Sequence, residues 1–113
     1  MPSTINILKG LANDHRFRLF LVLLERGLCV CELQEILKME QSHVSHHLRI
    51  LRCCGLVEPR QDGRRINYIV TEEVRNNPVV EAIRGASELS PVLKRRIPLI
   101  RVKGMGENKQ ARS

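Results

Sequence analysis

Apolar residues recur at helical spacing through the first forty positions. Ile5, Leu8 and Leu11 predict a first helix. Asp14 is expected to cap a second, strongly apolar helix from His15 to Arg26, and Gly27 to end it. A third, short helix follows, ending near Lys38-Met39. Its buried stripe consists of Val30, Leu33 and Ile36/Leu37.

The next segment, from about Gln41 to Cys54, predicts a helix with two distinct faces. Val44, Leu48 and Leu51 stand at i, i+4 and i+7, which places them on one buried side. Polar residues occupy the other side, as in the second helix of a helix-turn-helix. Gly55 followed by Leu56 fits a left-handed helix end with its hydrophobic contact.

The following residues predict a two-stranded hairpin and a last helix. Asp62-Gly63 is a turn signal between the segments 56–60 and 64–70, which are expected to pair as a wing. Asn77 and Pro78 can begin the last helix. Its apolar stripe, suited to a dimer seam, runs through Val79/Val80, Ile83, Ala86 and Leu89 or Ser87. The fold class is mainly α with a two-stranded β wing.

Composition suggests one domain that dimerises. The 113 residues include only two Phe and one Tyr, so the core must be mostly Leu, Ile and Val. A monomer this small would leave apolar surface uncovered. We expect a DNA-binding and dimerisation domain over residues 1–92, followed by a basic, partly disordered tail over residues 93–113.

The net charge of +7 is concentrated in the tail. Residues 1–92 carry 12 Lys/Arg against 11 Asp/Glu, whereas residues 93–113 carry 7 against 1. Basic tails are common, so the local charge is the stronger sign of nucleic-acid binding. The arginines in the stretch that the pattern nominates for DNA contact are Arg49, Arg52, Arg60, Arg64 and Arg65.

No stretch approaches the ~20 apolar residues of a membrane span, and no signal peptide is recognisable. We therefore expect a cytosolic protein without membrane contact. In a reducing compartment, four cysteines indicate thiols, metal ligation or redox sensing rather than structural disulfides.

Cys29 and Cys31 begin the third predicted helix. They could be two small buried hydrophobic residues or a thiolate pair for a soft ion. Residues i and i+2 of a helix point about 200° apart, so one ion reaches both sulfurs only if this turn is extended or unwinds. A helix N-terminus is also expected to lower a thiol's pKa. Cys53 and Cys54 could add ligands or simply pack at the end of the fourth helix.

The polar face of the fourth helix is the candidate DNA-reading surface. His43 and His47 have the i, i+4 spacing of a zinc-binding pair, but no Cys, Asp or Glu ligands stand nearby, which favours DNA contact. Arg64 and Arg65 would contact the backbone or minor groove, unless they are an ordinary solvated hairpin end. The predicted DNA-binding residues are Gln41, Ser42, His43, Ser45, His46, Arg49, Arg64 and Arg65.

Several blocks resemble the ArsR/SmtB family over residues 5 to 90. They are residues 11–18 (LANDHRFR), 29–33 (CVCEL), 42–51 (SHVSHHLRIL), 54–57 (CGLV) and 63–65 (GRR). The resemblance implies a winged helix-turn-helix homodimer that represses transcription and senses a metal.

The segment from Leu28 to Leu33 is similar to the thiol motif of the arsenite, antimonite, cadmium and lead sensors. Gln34 stands where many arsenite sensors have a third Cys. Cys54 matches a ligand position of another cadmium and lead branch. The position of that branch's second Cys is occupied by Ile50 here. The zinc-sensing branch uses Asp and His in the last helix. Residues 71–93 contain no His, so a zinc site of that type is not expected.

We therefore expect a repressor that leaves double-stranded operator DNA when As(III) or Sb(III) binds Cys29 and Cys31, with no cofactor in the isolated protein. Cd(II), Pb(II) or thiol oxidation are alternative signals. A constitutive, sequence-indifferent DNA-binding protein is the alternative of another class. No nucleophile, base and orienting group form a catalytic motif, so we do not expect an enzyme.

Overall fold

The computed structural model describes residues 2–86. They form six helices and one hairpin: α1 (Thr4–Leu11), α2 (Asp14–Glu25), α3 (Val30–Leu37), α4 (Gln41–Cys53), β1 (Glu58–Asp62), β2 (Arg65–Ile69), α5 (Glu72–Arg75) and α6 (Pro78–Ala86). The mainly α fold with a β wing is confirmed. Leu89, Ser87 and the basic tail of the predictions lie outside the described residues, as does the expected boundary at residue 92.

The core is built around α2. Leu19, Phe20, Val22 and Leu23 of this helix are completely buried. They pack with residues from the other elements in one cluster made almost entirely of Leu, Ile and Val. Within residues 2–86, no helix is long and apolar enough to cross a membrane.

The ends of α2 differ from the prediction. Asn13, not Asp14, is the N-cap: its Oδ1 accepts hydrogen bonds from the N–H groups of His15 at 2.9 Å and Arg16 at 3.1 Å. The helix stops at Glu25 and Arg26 is extended, so Gly27 is not a left-handed cap. Gly27 is needed for space instead, because a Cβ there would lie 2.7 Å from Cγ2 of Ile69.

The predicted stripe of α1 is only partly the buried one. Leu11 is buried together with Ile7, whereas Ile5 and Leu8 are 57% and 50% exposed. The helix therefore turns two large apolar side chains away from the core of its own chain.

Two arginines close helix ends by contacts that sequence patterns did not reveal. Arg16 donates from Nε to the carbonyl of Gly10 at 2.7 Å, at the end of α1. Arg75, in the unpredicted helix α5, donates from Nη1 to the carbonyl of Leu24 at 2.8 Å, at the end of α2. A cation at a helix C-terminus satisfies carbonyls that lack intrahelical partners and complements the helix dipole.

The end of α4 confirms the predicted left-handed glycine, one residue after Cys54. Gly55 has φ +79°. Its N–H donates to the carbonyl of Arg52 at 2.9 Å, and the N–H of Leu56 donates to that of Leu51 at 2.9 Å. These two bonds form a Schellman motif, and Leu56 is completely buried beyond it.

The wing is an antiparallel hairpin in which Glu58 pairs with Ile69 and Asp62 with Arg65. Its two-residue turn is therefore Gly63-Arg64, one position later than the predicted Asp62-Gly63. Gly63 has φ +66°, and a glycine with positive φ at the first central position is typical of a hairpin turn.

The last described helix begins as predicted. Asn77 precedes it and accepts a hydrogen bond at Oδ1 from the N–H of Val79 at 2.9 Å. Val80 is completely buried, whereas Val79 and Ile83 are only partly buried against the core.

Replacement of Gly55 by Ala tests the end of α4. A Cβ at φ +79° is strained, and we expect a loss of about 1–2 kcal/mol in the free energy of unfolding, measured by urea denaturation. Gly55→Asn is the control, since Asn tolerates the left-handed region better. Equal losses for the two variants would contradict this explanation.

Candidate nucleic-acid interface and thiol site

The polar face of α4 is open to solvent. Val44, Leu48 and Leu51 are buried, so the helix must present its opposite side outward. The exposed residues on this helix include all the predicted contact residues: Gln41, Ser42, His43, Ser45, His46 and Arg49. Arg49 lies beside His46, with 3.2 Å between its Nη2 and the histidine Nδ1.

The four histidines of the chain gather where α2 begins against α4. The rings of His15 and His47 are 6.0 Å apart between centroids, and those of His46 and His47 are 5.5 Å apart. His43 and Arg16 also act electrostatically on His47. No sequence pattern indicated that His15 would reach α4, because the two residues are joined only by the packing of their helices.

His47 is half-buried, and its Nδ1 is buried without a hydrogen-bond partner. Burial lowers the pKa of this histidine below its ordinary value, and the positive charge of Arg16 and the neighbouring histidines lowers it further. His47 therefore favours the neutral form and differs from the exposed contact residues of α4.

The two wing arginines have different surroundings. Arg64 is exposed in the turn. Arg65 is half-buried, and its Nη1 lies 3.3 Å from Oε2 of Glu32 in α3. Contact with DNA stays a prediction for both, but the guanidinium of Arg65 already has a carboxylate partner, so Arg64 is the better placed of the two at the wing tip.

The thiol pair lies where α3 begins. Cys29 is the extended N-cap, with φ −89° and ψ 171°, and Cys31 is inside the helix. This is the extended turn that a shared ion would require. Cys31 is exposed and opens on a groove along α3 and the turn to α4. The groove is lined by Cys31, Gln34, Glu35, Lys38, Met39 and Glu40.

The expected activation of this pair by the helix N-terminus is wrong for Cys29. Burial raises the pKa of the Cys29 thiol above its ordinary value, more than the backbone hydrogen bond at Glu32 and the charge of Arg65 lower it. Half-burial at the N-cap thus disfavours deprotonation of Cys29 at neutral pH.

Cys53 and Cys54 lie at the far end of α4. Cys53 is exposed, and Cys54 is half-buried. The Sγ of Cys54 packs so closely on Gly10 that a Cβ at position 10 would lie 3.3 Å from it. Within the described part of the chain, no three His, Cys, Asp or Glu residues form a group that could hold a metal ion. The structure therefore does not bring these additional thiol candidates, or the histidines of α4, into such a group.

The polar face of α4 and the exposed arginine at the tip of the wing agree with a family match. Residues 13–59 match the model of the bacterial regulatory proteins of the arsR family. The chain is 31% identical over 87 residues to a cadmium resistance transcriptional regulatory protein CadC homolog from Staphylococcus aureus, covering 76% of this chain and 72% of that protein. The chain belongs to the arsR family.

Other relatives are matched over a smaller part of their length. An arsenical resistance operon repressor from Escherichia coli is 37% identical over 71 residues, which is 62% of this chain and 61% of that protein. A transcriptional repressor SmtB homolog from Synechocystis is 44% identical over 63 residues, or 56% of this chain and 48% of that protein.

Among solved structures, reduced HlyU from Vibrio cholerae is similar to this chain. The TM-score is 0.64 at 31% sequence identity, covering 75% of this chain and 88% of that one. The family and the winged helix-turn-helix fold are thus confirmed, and both describe regulatory proteins rather than enzymes.

The lowered pKa of His47 predicts acid sensitivity of the fold. In the unfolded chain His47 takes up a proton near pH 6.5, whereas in the folded chain it does so only at lower pH. The unfolded state then binds more protons, so stability present above pH 6.5 is lost as the pH falls through the folded pKa. We expect the urea midpoint of His47→Gln to fall less between pH 7.5 and pH 5 than that of wild type. The exposed His43→Gln should stay much closer to the wild-type dependence, because His43 is the smallest of the causes that lower the His47 pKa. A parallel decline in all three proteins would refute the role of His47.

Proposed function

We propose that this protein is a DNA-binding transcriptional repressor that acts as a homodimer and is released by a thiophilic ion. The observation that supports it most is the outward polar face of α4, which the buried stripe of the same helix holds toward solvent. In helix-turn-helix proteins, such a helix enters the major groove and its first turns contact base edges.

The side chains of α4 suit base readout, and the wing suits the DNA backbone. Gln41 can pair bidentately with adenine, and Ser42 and Ser45 can bond several bases. Arg64 can contact phosphate or the minor groove next to the helix. Contacts of α4 with base edges would determine sequence specificity, whereas contacts with phosphate would contribute to affinity and its salt dependence.

The exposed apolar residues support a homodimer. Ile5 and Leu8 on α1 are about half exposed in the single chain. Large apolar side chains on one helix face mark an interaction site when they form a patch. A second copy that covers them would give two α4 helices related by a two-fold axis, as an inverted-repeat operator requires.

The ion proposed as inducer is As(III) or Sb(III). Cys29 and Cys31 supply two soft ligands, and Cys29 already has the extended backbone that a shared ion needs. An ion joining the two sulfurs would pull on the first turn of α3, which packs on α4. The required difference in DNA affinity is about 1–3 kcal/mol, the usual size of coupling between two sites.

Cd(II) or Pb(II) is the second candidate, because a cadmium resistance regulator is among the relatives. A site of four thiolates within one chain would need Cys53 and Cys54, and the described residues hold no three-ligand group. The lack of a larger thiolate group in the described residues favours a site of two thiolates, the one proposed for As(III) or Sb(III). Thiol oxidation is a third candidate signal, and constitutive binding to any DNA is the competing function. A cytosolic location stays a prediction.

Duplexes selected from a random library should distinguish specific from indifferent binding. With reduced full-length protein, we expect Gln41→Ala to weaken binding of the selected duplex by about 1–3 kcal/mol in anisotropy titrations. The same substitution should change binding of a scrambled duplex little. Arg64→Ala should weaken binding of both duplexes equally and lower the slope of log affinity against log salt concentration by about one. If wild type binds both duplexes with equal affinity, constitutive binding is the correct function and the repressor proposal fails.

Arsenite should release the selected duplex from wild type but not from Cys29→Ser or Cys31→Ser. Both variants should bind the duplex normally without arsenite, because a hydroxyl replaces each thiol without a large change in volume. Cys53→Ser is the matched control and should respond as wild type does.

The same titrations with antimonite, cadmium, lead and peroxide identify the signal. Release by cadmium alone, abolished in Cys53→Ser, would replace the arsenite assignment.

A further inference from the structure

Glu32 is a buried carboxylate at the thiol site. It is 8% exposed, and among residues 2–86 the only other buried polar residue is Asn77. A buried carboxylate is costly unless its oxygens are paired and hydrogen-bonded. The partners of Glu32 therefore show what its charge holds together.

The two carboxylate oxygens of Glu32 contact two different elements. Oε1 accepts a hydrogen bond from the backbone N–H of Cys29 at 3.0 Å. Oε2 lies 3.3 Å from Nη1 of Arg65, in strand β2 of the wing. One side chain thus joins the first thiol residue to the wing.

Backbone hydrogen bonds also join the start of α3 to the wing. Leu28 and Tyr68 exchange two hydrogen bonds, N–H of Leu28 to O of Tyr68 at 3.2 Å and N–H of Tyr68 to O of Leu28 at 2.8 Å. Cys29 therefore follows a residue paired with the wing, and its own N–H is held by the carboxylate that pairs with Arg65. A displacement of Cys29 changes both connections.

We infer that Glu32 is a positioning residue that transmits occupation of the Cys29–Cys31 thiol pair to the wing through Arg65. This inference rests on the proposed function. An ion drawing the two sulfurs together reorients the Cys29 peptide, so Oε1 loses its donor. The carboxylate then moves to regain hydrogen bonds, its contact with Arg65 breaks, and the wing loses its fixed position.

The low exposure of the pair makes this change abrupt. The side chains of Arg65 and Glu32 are 21% and 10% exposed. If the pair separates, the buried carboxylate of Glu32 must gain other hydrogen bonds or water, so an intermediate with this charge dry and unpaired is strongly disfavoured. Packed junctions of this kind have two discrete arrangements rather than a continuous range.

The wing carries its own optical probe. Tyr68 is the only Tyr, and the chain has no Trp, so tyrosine fluorescence reports on the junction directly. We expect arsenite to change the Tyr68 emission of reduced full-length wild type. In Glu32→Gln, which keeps an oxygen for the Cys29 N–H but removes the charge, arsenite should still consume two reactive thiols while the Tyr68 response is lost.

DNA release should follow the same pattern. The ratio of operator affinities without and with arsenite, of the usual coupling size of about 5- to 150-fold in wild type, should fall toward one in Glu32→Gln. Arg65→Gln should lose the Tyr68 response as well, and the double variant should lose no more than either single one. Glu58→Gln is the control, because it removes an exposed ion pair with Arg60 on the other wing strand and should keep the wild-type responses.

The outcomes separate this inference from the proposed function. If wild type and Glu32→Gln give the same Tyr68 change and the same release, the inference is wrong and the repressor proposal stands. If Tyr68 responds only with Glu32 intact but DNA is never released, the connection exists and the arsenite-induced function fails. Should Glu32→Gln lose its circular dichroism spectrum, Arg65→Gln tests the same contact from the wing.

Discussion

The geometry of this chain depends on the burial of three side chains of α4. Val44, Leu48 and Leu51 are 0%, 2% and 0% exposed. Full burial of such side chains contributes about 1.5–3 kcal/mol each, so the helix cannot rotate about its axis without a large loss. The outward direction of Gln41, Ser45 and Arg49 follows from this constraint, because they occupy the opposite side of the same helix.

The wing is held by a different kind of contact. The hairpin is joined to the helices by the Leu28–Tyr68 backbone pair, by the close approach of Ile69 to Gly27 and by the Glu32–Arg65 ion pair. These contacts converge on residues 27–32, which include the first cysteine. The wing and the turn that carries the first cysteine therefore share one small junction.

The thiol site combines accessibility with restraint. Cys31 is exposed, whereas the half-buried Cys29 has a raised pKa. A soft ion that displaces the proton of Cys29 would therefore meet a thiol that the fold keeps neutral. The turn that holds this thiol is the one that Glu32 joins to the wing.

Local patterns were sufficient for five of the six described helices and for the hairpin, although its turn lies one position later than predicted. The spacing of Val44, Leu48 and Leu51 and the glycine at position 55 predicted α4 and its end, since periodicity and left-handed backbone are properties of neighbouring residues. The four-residue helix α5 was missed because so short a segment has no period. Asn13 was passed over as the cap because Asp14, an equally suitable residue, is adjacent.

Apart from α5, the sequence by itself determined the described elements, the polar face of α4 and the position of the thiol pair. Only the tertiary structure decided that Arg65 pairs with Glu32, that His15 meets His47 and that Arg75 reaches the carbonyl of Leu24 across 51 positions. The physical reason is that charge and hydrogen-bond partners are selected by which faces pack together. A residue's type shows that it needs a partner, but only the packed helices and wing determine which one it receives.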